Sequence, residues 1–130
     1  MEMYKKISLI TNENDLSDIL DEFCDRFGEP PKATVRLLDI ALLRSYASKG
    51  KIQKVVCKDG EVRFVQDKIN LPVWSEVFSR IEGIRFTSAL SPAIVYKLRR
   101  GEDAVSMARK IISEYYNTLV SEKEGKNEQN

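Results

Sequence analysis

The clearest chemical pattern in the sequence is a row of acidic residues at helical spacing. Its members are Asp18, Asp21, Glu22 and Asp25. Positions i, i+3, i+4 and i+7 share one face of a helix, so the four carboxylates are predicted to form one continuous acidic surface. Like charges at these spacings repel by roughly a few tenths of a kcal/mol per pair. The surface is therefore either an ordinary solvated face answered by nearby lysines of this chain, or a site for a basic partner.

Residue types suited to catalysis are scarce. The 130 residues include no histidine, which excludes schemes that use imidazole as a base, nucleophile or metal ligand. The two cysteines, Cys24 and Cys57, lack metal-site spacing and are expected to be reduced thiols. A row of carboxylates on one exposed helix face lacks the opposing wall of a catalytic pair. We therefore expect a domain that is not an enzyme and holds no cofactor or metal, and a small hydrolase or metal enzyme is a weaker alternative.

Basic residues follow the acidic segment in two groups, at 32–58 and 97–110. The groups consist of Lys32, Arg36, Arg44, Lys49, Lys51, Lys54 and Lys58, and of Lys97, Arg99, Arg100, Arg109 and Lys110. They could contact phosphates, neutralise the acidic helix within the fold, or lie scattered on the surface. A nucleic-acid-binding accessory domain is therefore the alternative function. A net charge of +1 and the absence of interleaved aromatic residues do not favour it.

The acidic row lies on the second of five predicted helices. Asn12 is expected to cap its start, and Gly28 with the following prolines is expected to end it. The side of the helix opposite the acids carries an apolar stripe that predicts core packing. The stripe consists of Leu16, Ile19, Leu20, Phe23 and Phe27.

The other helices are predicted at 1–10, 31–49, 71–81 and about 102–120. The helix that starts at Pro31 is apolar on most of its circumference, which predicts a central helix surrounded by protein. Trp74 on the fourth helix and the pair Tyr115-Tyr116 on the last are expected in the core and at its rim.

After Gly50 the spacing of the apolar residues changes from that of helices to that of strands. Residues 52–58 and 62–66 predict a hairpin closed by Asp59-Gly60, and strands are also predicted at 84–87 and 93–98. The fold class is therefore α+β, with helices packed on a small, mainly antiparallel sheet in a single domain.

The domain is predicted to span residues 1–121, with 122–130 as a disordered tail. Those last residues have almost no apolar side chains with which to pack. No stretch of the sequence is long and apolar enough to cross a membrane.

Three stretches of the first half resemble a known family. They are EMYKKI at 2–7, NDLSDILDEFCDRFGEPP at 14–31 and VRLLDIALLRSYASKGKIQKV at 35–55. They are similar to the C-terminal domain of bacterial transcription-repair coupling factors, the Mfd family. The most specific piece is Asp25, Arg26, Phe27 and Gly28, followed by paired prolines and a helix that contains Leu-Leu. The resemblance is looser after residue 66. Since this domain follows a translocase motor in such proteins, the abrupt start predicts that the chain belongs to a longer polypeptide.

The resemblance implies a regulatory domain of a cytoplasmic DNA-repair protein that moves on DNA by hydrolysing ATP. The parent protein recognises stalled RNA polymerase and recruits the excision-repair protein UvrA. In its resting state the C-terminal domain packs on the N-terminal UvrB-like module of the same polypeptide and masks the surface that UvrA binds. The family's acidic contacts with arginines of that module fall on Glu22 and Asp25. With Asp18 and Asp21, these are the predicted partner-binding residues.

Overall fold

Five helices and one sheet make up most of the described chain, which in this computed structural model comprises residues 2–87 and 92–128. The elements in order are α1 (Glu2–Ser8), α2 (Glu13–Phe27), α3 (Lys32–Lys49), β1 (Lys54–Lys58), β2 (Glu61–Val65), α4 (Leu71–Arg80), β3 (Ile84–Thr87), β4 (Ala93–Lys97) and α5 (Ala104–Glu128). None of these helices is apolar enough over sufficient length to cross a bilayer.

The sheet is antiparallel throughout the described residues. Its strand order is β1-β2-β4-β3. Asp59 and Gly60 both have positive φ, 54° and 72°, which is the geometry that Asp-Gly readily adopts in a two-residue hairpin turn. The α+β class and the mainly antiparallel sheet are therefore confirmed.

The helices pack on one face of the sheet and bury its alternate residues. Val62 and Phe64 of β2 and Ile94 and Tyr96 of β4 belong to the same core as the helices. The ring of Trp74 on α4 fills the space between the layers and is fully buried.

An aromatic cluster holds α4 and α5 to the sheet. The centroid of the Trp74 ring lies 4.4 Å from that of Tyr115 and 5.7 Å from that of Phe64. At the rim, the ring of Tyr116 stacks on that of Tyr46 of α3 at 4.7 Å. The predicted positions of Trp74 and the two tyrosines are therefore confirmed.

Gln66 is a polar side chain buried beside this cluster. Its Nε2 donates to the carbonyl of Gly50 at 2.9 Å and to the hydroxyl of Tyr115 at 3.0 Å. Its Oε1 accepts from the indole N–H of Trp74 and the backbone N–H of Asn70, each at 3.2 Å. Both ends of the amide are therefore satisfied, and one side chain joins α4, α5 and the end of α3.

The apolar stripe of α2 is only partly buried. Leu16 is 6% exposed, whereas Phe27 in the last turn is 63% exposed. The prediction that Phe27 packs in the core is wrong. The chain turns away at Gly28 directly after this ring, and the aromatic ring that Phe27 contacts is that of its own helix neighbour Phe23, at 5.1 Å.

Two other helices differ from their sequence patterns. Leu37 on α3 is exposed, so α3 is buried on one side and is not surrounded by protein. The backbone of α5 stays helical to Glu128, so the predicted end near Val120 is wrong. Polar residues can extend a helix that is already nucleated by its packed part. The division into a domain at 1–121 and a disordered tail at 122–130 stays a prediction.

Candidate partner-binding surface on the second helix

Hydrogen bonds at both ends set the limits of α2. Oδ1 of Asn12 accepts from the backbone N–H of Asp15 at 2.8 Å, as an N-cap does. Oδ2 of Asp15 in turn accepts from the backbone N–H and the hydroxyl of Thr11 at 2.9 and 2.7 Å, and these bonds lower the pKa of Asp15. At the other end, Gly28 has a φ of 81° and donates its N–H to the carbonyl of Cys24. The predicted capping residues are confirmed.

An arginine of α5 fixes the start of α2 against the rest of the fold. Nη1 of Arg109 lies 2.8 Å from Oδ1 of Asp39 on α3, and its Nη2 lies 2.7 Å from Oε2 of Glu13 on α2. Burial lowers the pKa of Arg109, but the contacts with the two carboxylates outweigh it and raise the pKa overall. Three helices therefore meet at one guanidinium group, which orients α2.

Three of the four predicted partner-binding residues point into solvent. Asp18, Asp21 and Asp25 are exposed, and in the described part of the chain none of them forms an ion pair. We call these three residues with Glu22 the acidic surface. Free carboxylates at i, i+3 and i+7 offer acceptors for guanidinium groups along about 10 Å of helix.

Glu22 differs from the other three acids because this chain already supplies cations to it. Nζ of Lys6 on α1 lies 2.6 Å from Oε1 of Glu22, and Nη1 of Arg26 lies 3.7 Å from the same oxygen. The Glu22 side chain is 34% exposed. The hydrogen bond from Lys6 is the main reason that the pKa of Glu22 is lowered. Glu22 therefore holds α1 to α2 in addition to any role toward a partner.

The four residues of the Asp-Arg-Phe-Gly sequence do not form one site. Asp25 belongs to the acidic surface, Arg26 approaches Glu22, and Gly28 ends the helix. The ring of Phe27 is on the side of α2 opposite the acids, because residues two apart on a helix point about 200° apart. The sequence resemblance located this segment, but the separate roles depend on the fold.

Several residues of the two basic groups are used inside the domain. Arg36 pairs with Asp103 at 3.0 Å, and Nζ of Lys49 donates to the carbonyl of Thr11 at 2.6 Å. Arg99 lies 3.7 Å from Glu82, and Arg109 joins Asp39 to Glu13. The others in the two groups have no ion pair among the described residues.

The described residues offer no obvious place for metal chemistry. No three cysteine or acidic side chains in residues 5–87 and 92–123 are grouped so as to hold a metal ion. Cys24 on α2 and Cys57 on β1 are free and exposed. The expectation that the domain has no cofactor stays a prediction.

Comparisons with known proteins agree on one family. The model of the TRCF domain family matches residues 1–71. The chain is 38% identical over 76 residues to the transcription-repair-coupling factor of Escherichia coli K12, and 31% identical over 65 residues to that of Staphylococcus epidermidis. These alignments cover 57% and 50% of this chain but 7% and 6% of the relatives. The chain therefore corresponds to a small part of them.

A solved structure extends the similarity to nearly the whole chain. The crystal structure of the C-terminal domain of a transcription-repair coupling factor superimposes with a TM-score of 0.79 and 26% sequence identity, over 96% of this chain and 81% of that one. The chain therefore belongs to the TRCF domain family. Its fold is that of the C-terminal domain of transcription-repair coupling factors, as the resemblance of residues 2–66 predicted.

Proposed function

We propose that this domain masks a basic surface on the N-terminal UvrB-like module of its parent polypeptide, and so keeps UvrA from binding until RNA polymerase is engaged. The parent protein is then an ATP-driven translocase that acts on DNA in the cytoplasm, and the domain regulates it without catalysing a reaction. The observation that carries this proposal is the exposure of Asp18, Asp21 and Asp25 without an ion pair among the described residues.

The chemistry of the acidic surface supports an arginine-rich partner. Carboxylates accept two parallel hydrogen bonds from a guanidinium group, and such charge-assisted bonds are roughly twice as strong as neutral ones. Each partly desolvated pair contributes on the order of 1 kcal/mol or more, so a few pairs are enough to shift a two-state equilibrium. The rigid helix keeps the carboxylates at fixed spacing, which favours a partner of matching geometry.

The contact of Glu22 with Lys6 modifies the proposal. Because Glu22 is already paired within the domain, its share in partner binding requires a guanidinium that reaches its other oxygen or displaces Lys6. Asp21 and Asp25 carry no such cost. We therefore assign the larger part of the binding energy to the three aspartates and a smaller part to Glu22.

A weak interface is sufficient because the two modules belong to one polypeptide. A tether keeps the module at an effective concentration of about a millimolar, so the masked state is populated even when the separated parts bind poorly. A rearrangement of the parent protein that separates the modules then exposes the basic surface. The domain is thus suited to act as a removable cover.

The proposal is tested by titrating this chain into the separately produced UvrB-like module. Isothermal titration calorimetry at 50 and 200 mM salt compares the unchanged chain with the double variant Asp21→Asn and Asp25→Asn. We expect salt-sensitive binding that weakens at least tenfold in the variant. The matched control is Glu76→Gln with Glu82→Gln, which removes two negative charges from surfaces outside α2.

The control variant is expected to bind as the unchanged chain does. Equal weakening in both variants would mean that only net charge matters and would contradict a specific role of the acidic surface. Binding that is unaffected by either variant would also contradict it. Circular dichroism of each variant establishes that the fold is retained.

A further inference from the structure

The sheet has a second face, opposite the helices, whose residues come from four separate strands and are brought together only by the strand register. Because strand residues alternate between faces, the neighbours of the core residues Phe64 and Ile94 point to this second face. Its described members are Lys54, Val56 and Lys58 of β1, Glu61, Arg63 and Val65 of β2, Arg85 and Thr87 of β3, and Ala93, Val95 and Lys97 of β4.

Positive charge dominates the second face. Lys54, Lys58 and Lys97 are exposed and Arg63 is half-buried, and none of the four forms an ion pair among the described residues. Glu61 is the one carboxylate of the described face, and it lies 3.6 Å from Arg85. Four cations are therefore left without a neutralising partner on a chain whose overall net charge is +1.

The strand register spreads these cations over an area that matches a groove of duplex DNA. Lys58 lies opposite Glu61, which lies opposite Lys97, so two strand spacings of about 4.8 Å place the two lysines about 10 Å apart. Lys54 is four residues along β1 from Lys58, or about 13 Å. The major groove is about 12 Å wide, so cations at these distances can contact phosphates of both strands.

The apolar residues of the second face favour a nucleic acid over an acidic protein. Protein interfaces depend on large anchors, among which Trp and Tyr are the aromatic ones. The described residues of this face include Arg63 and Arg85 but no aromatic side chain. The large exposed apolar side chains of the described residues are Leu9, Phe27, Val35, Leu37, Leu71 and Phe86. None of them is on this face, where Ala93 and Val95 are buried.

The described residues of the face also include no aromatic ring on which single-stranded bases could stack. Its contacts are therefore to phosphates, which occur at regular spacing along a duplex. We propose that the second face of the sheet binds the phosphate backbone of duplex DNA without sequence preference. The acidic surface of α2 is not part of this site, so the inference goes beyond the masking function and does not depend on it.

Salt dependence gives the proposal a quantitative form. Each neutralised phosphate contributes about −0.9 to the slope of log K against log salt concentration. Four contacts predict a slope of about −3 to −4, and therefore a roughly hundredfold loss of affinity between 50 and 200 mM salt. Removal of one contributing lysine is expected to make the slope about one unit shallower.

The test is fluorescence anisotropy of a labelled 20-base-pair duplex of arbitrary sequence, titrated with the full 130-residue chain. The double variant Lys58→Gln and Lys97→Gln is expected to bind at least tenfold more weakly at 50 mM salt, with a slope about two units shallower. The matched control is Lys32→Gln with Lys110→Gln. It removes the same charge from exposed positions on α3 and α5 and is expected to bind almost as the unchanged chain does.

Three results would overturn the inference. The first is no binding of the duplex at 50 mM salt. The second is an equal loss of affinity in the control variant, because binding would then follow net charge and not this face. The third is tighter binding of a poly-glutamate peptide than of the duplex, which would assign the face to an acidic protein. The variant Asp21→Asn with Asp25→Asn separates the two proposals, since it is expected to leave duplex binding intact.

Discussion

The Nζ of Lys6 lies 2.6 Å from Oε1 of Glu22, and this contact joins α1 to α2. It shows that the four acids of α2 are not equivalent, although their spacing is uniform. One acid is bound to the domain itself, while the three aspartates are exposed and have no ion pair in the described structure. Stability and partner binding are therefore expected to separate when these residues are changed one at a time.

Glu22→Gln is expected to lower the stability of the domain slightly, while Asp21→Asn leaves it unchanged or raises it. The first change removes the charge that Lys6 and Arg26 contact, and the second relieves repulsion between neighbouring acids. The urea midpoint of unfolding measures both effects. In a double-mutant cycle, Lys6→Met and Glu22→Gln are expected to be non-additive, and strict additivity would show that the contact contributes nothing.

Stability is expected to fall on acidification. The pKa values of Glu22, Asp15, Glu102 and Asp103 are lowered in the folded domain, mainly by hydrogen bonds from Lys6, Thr11, Tyr96 and the backbone of Ser106, respectively.

A lowered pKa means that the folded state binds fewer protons than the unfolded chain. The stabilisation is therefore fully present above the ordinary carboxyl pKa of about 4. It is lost as the pH falls through the lower folded values. Urea midpoints at pH 6, 4 and 3 measure this loss, and Glu22→Gln is expected to reduce it. Equal midpoints at all three pH values would contradict the prediction.

Gln66→Ala is expected to destabilise the domain by about 2–4 kcal/mol, because it leaves the indole N–H of Trp74 and the carbonyl of Gly50 without partners in the core. Gln53→Ala is the control. Its Oε1 accepts from the backbone N–H of Asp67 at the exposed surface, so its loss is expected to cost at most about 1 kcal/mol. Chemical denaturation followed by Trp74 fluorescence measures both changes, and equal costs would contradict the role of burial.

Arg109→Met is expected to cost about 1–3 kcal/mol of stability. It leaves Asp39, which is 9% exposed, without its cation. Arg36→Met is the matched control, because it removes the more exposed pair with Asp103 and is expected to cost at most about 1 kcal/mol. Thermal melting of the two variants compares them. A loss of stability in Arg36→Met as large as that in Arg109→Met would show that the three-helix contact stabilises the domain no more than an exposed ion pair does.

Features that depend on local sequence were predictable. The capping residues Asn12 and Gly28 and the hairpin turn at Asp59-Gly60 follow from conformational preferences of single residues or pairs. The fold class and the approximate bounds of the helices and strands followed from these capping and turn residues together with the apolar periodicity.

Features that depend on long-range packing were not predictable. The contact between Lys6 and Glu22 depends on the angle at which α1 packs against α2. The cluster of cations on the second face of the sheet depends on the strand order β1-β2-β4-β3. Arg63 and Arg85 were not predicted as part of a basic surface, because each is the one basic residue of its strand. Only the strand register places them on the same face as the lysines. Phe27 was misplaced because periodicity predicts a face of a helix but not how far the neighbouring elements extend along it.

The most direct test of the central claim is competition for the UvrB-like module. UvrA is bound to the immobilised module at the concentration that gives half-maximal binding, and this chain is then added at increasing concentration. The masking proposal predicts that the chain displaces UvrA, and that the variant Asp18→Asn, Asp21→Asn and Asp25→Asn does not. If UvrA stays bound while the unchanged chain binds beside it, the acidic surface does not mask the UvrA site and the account is wrong.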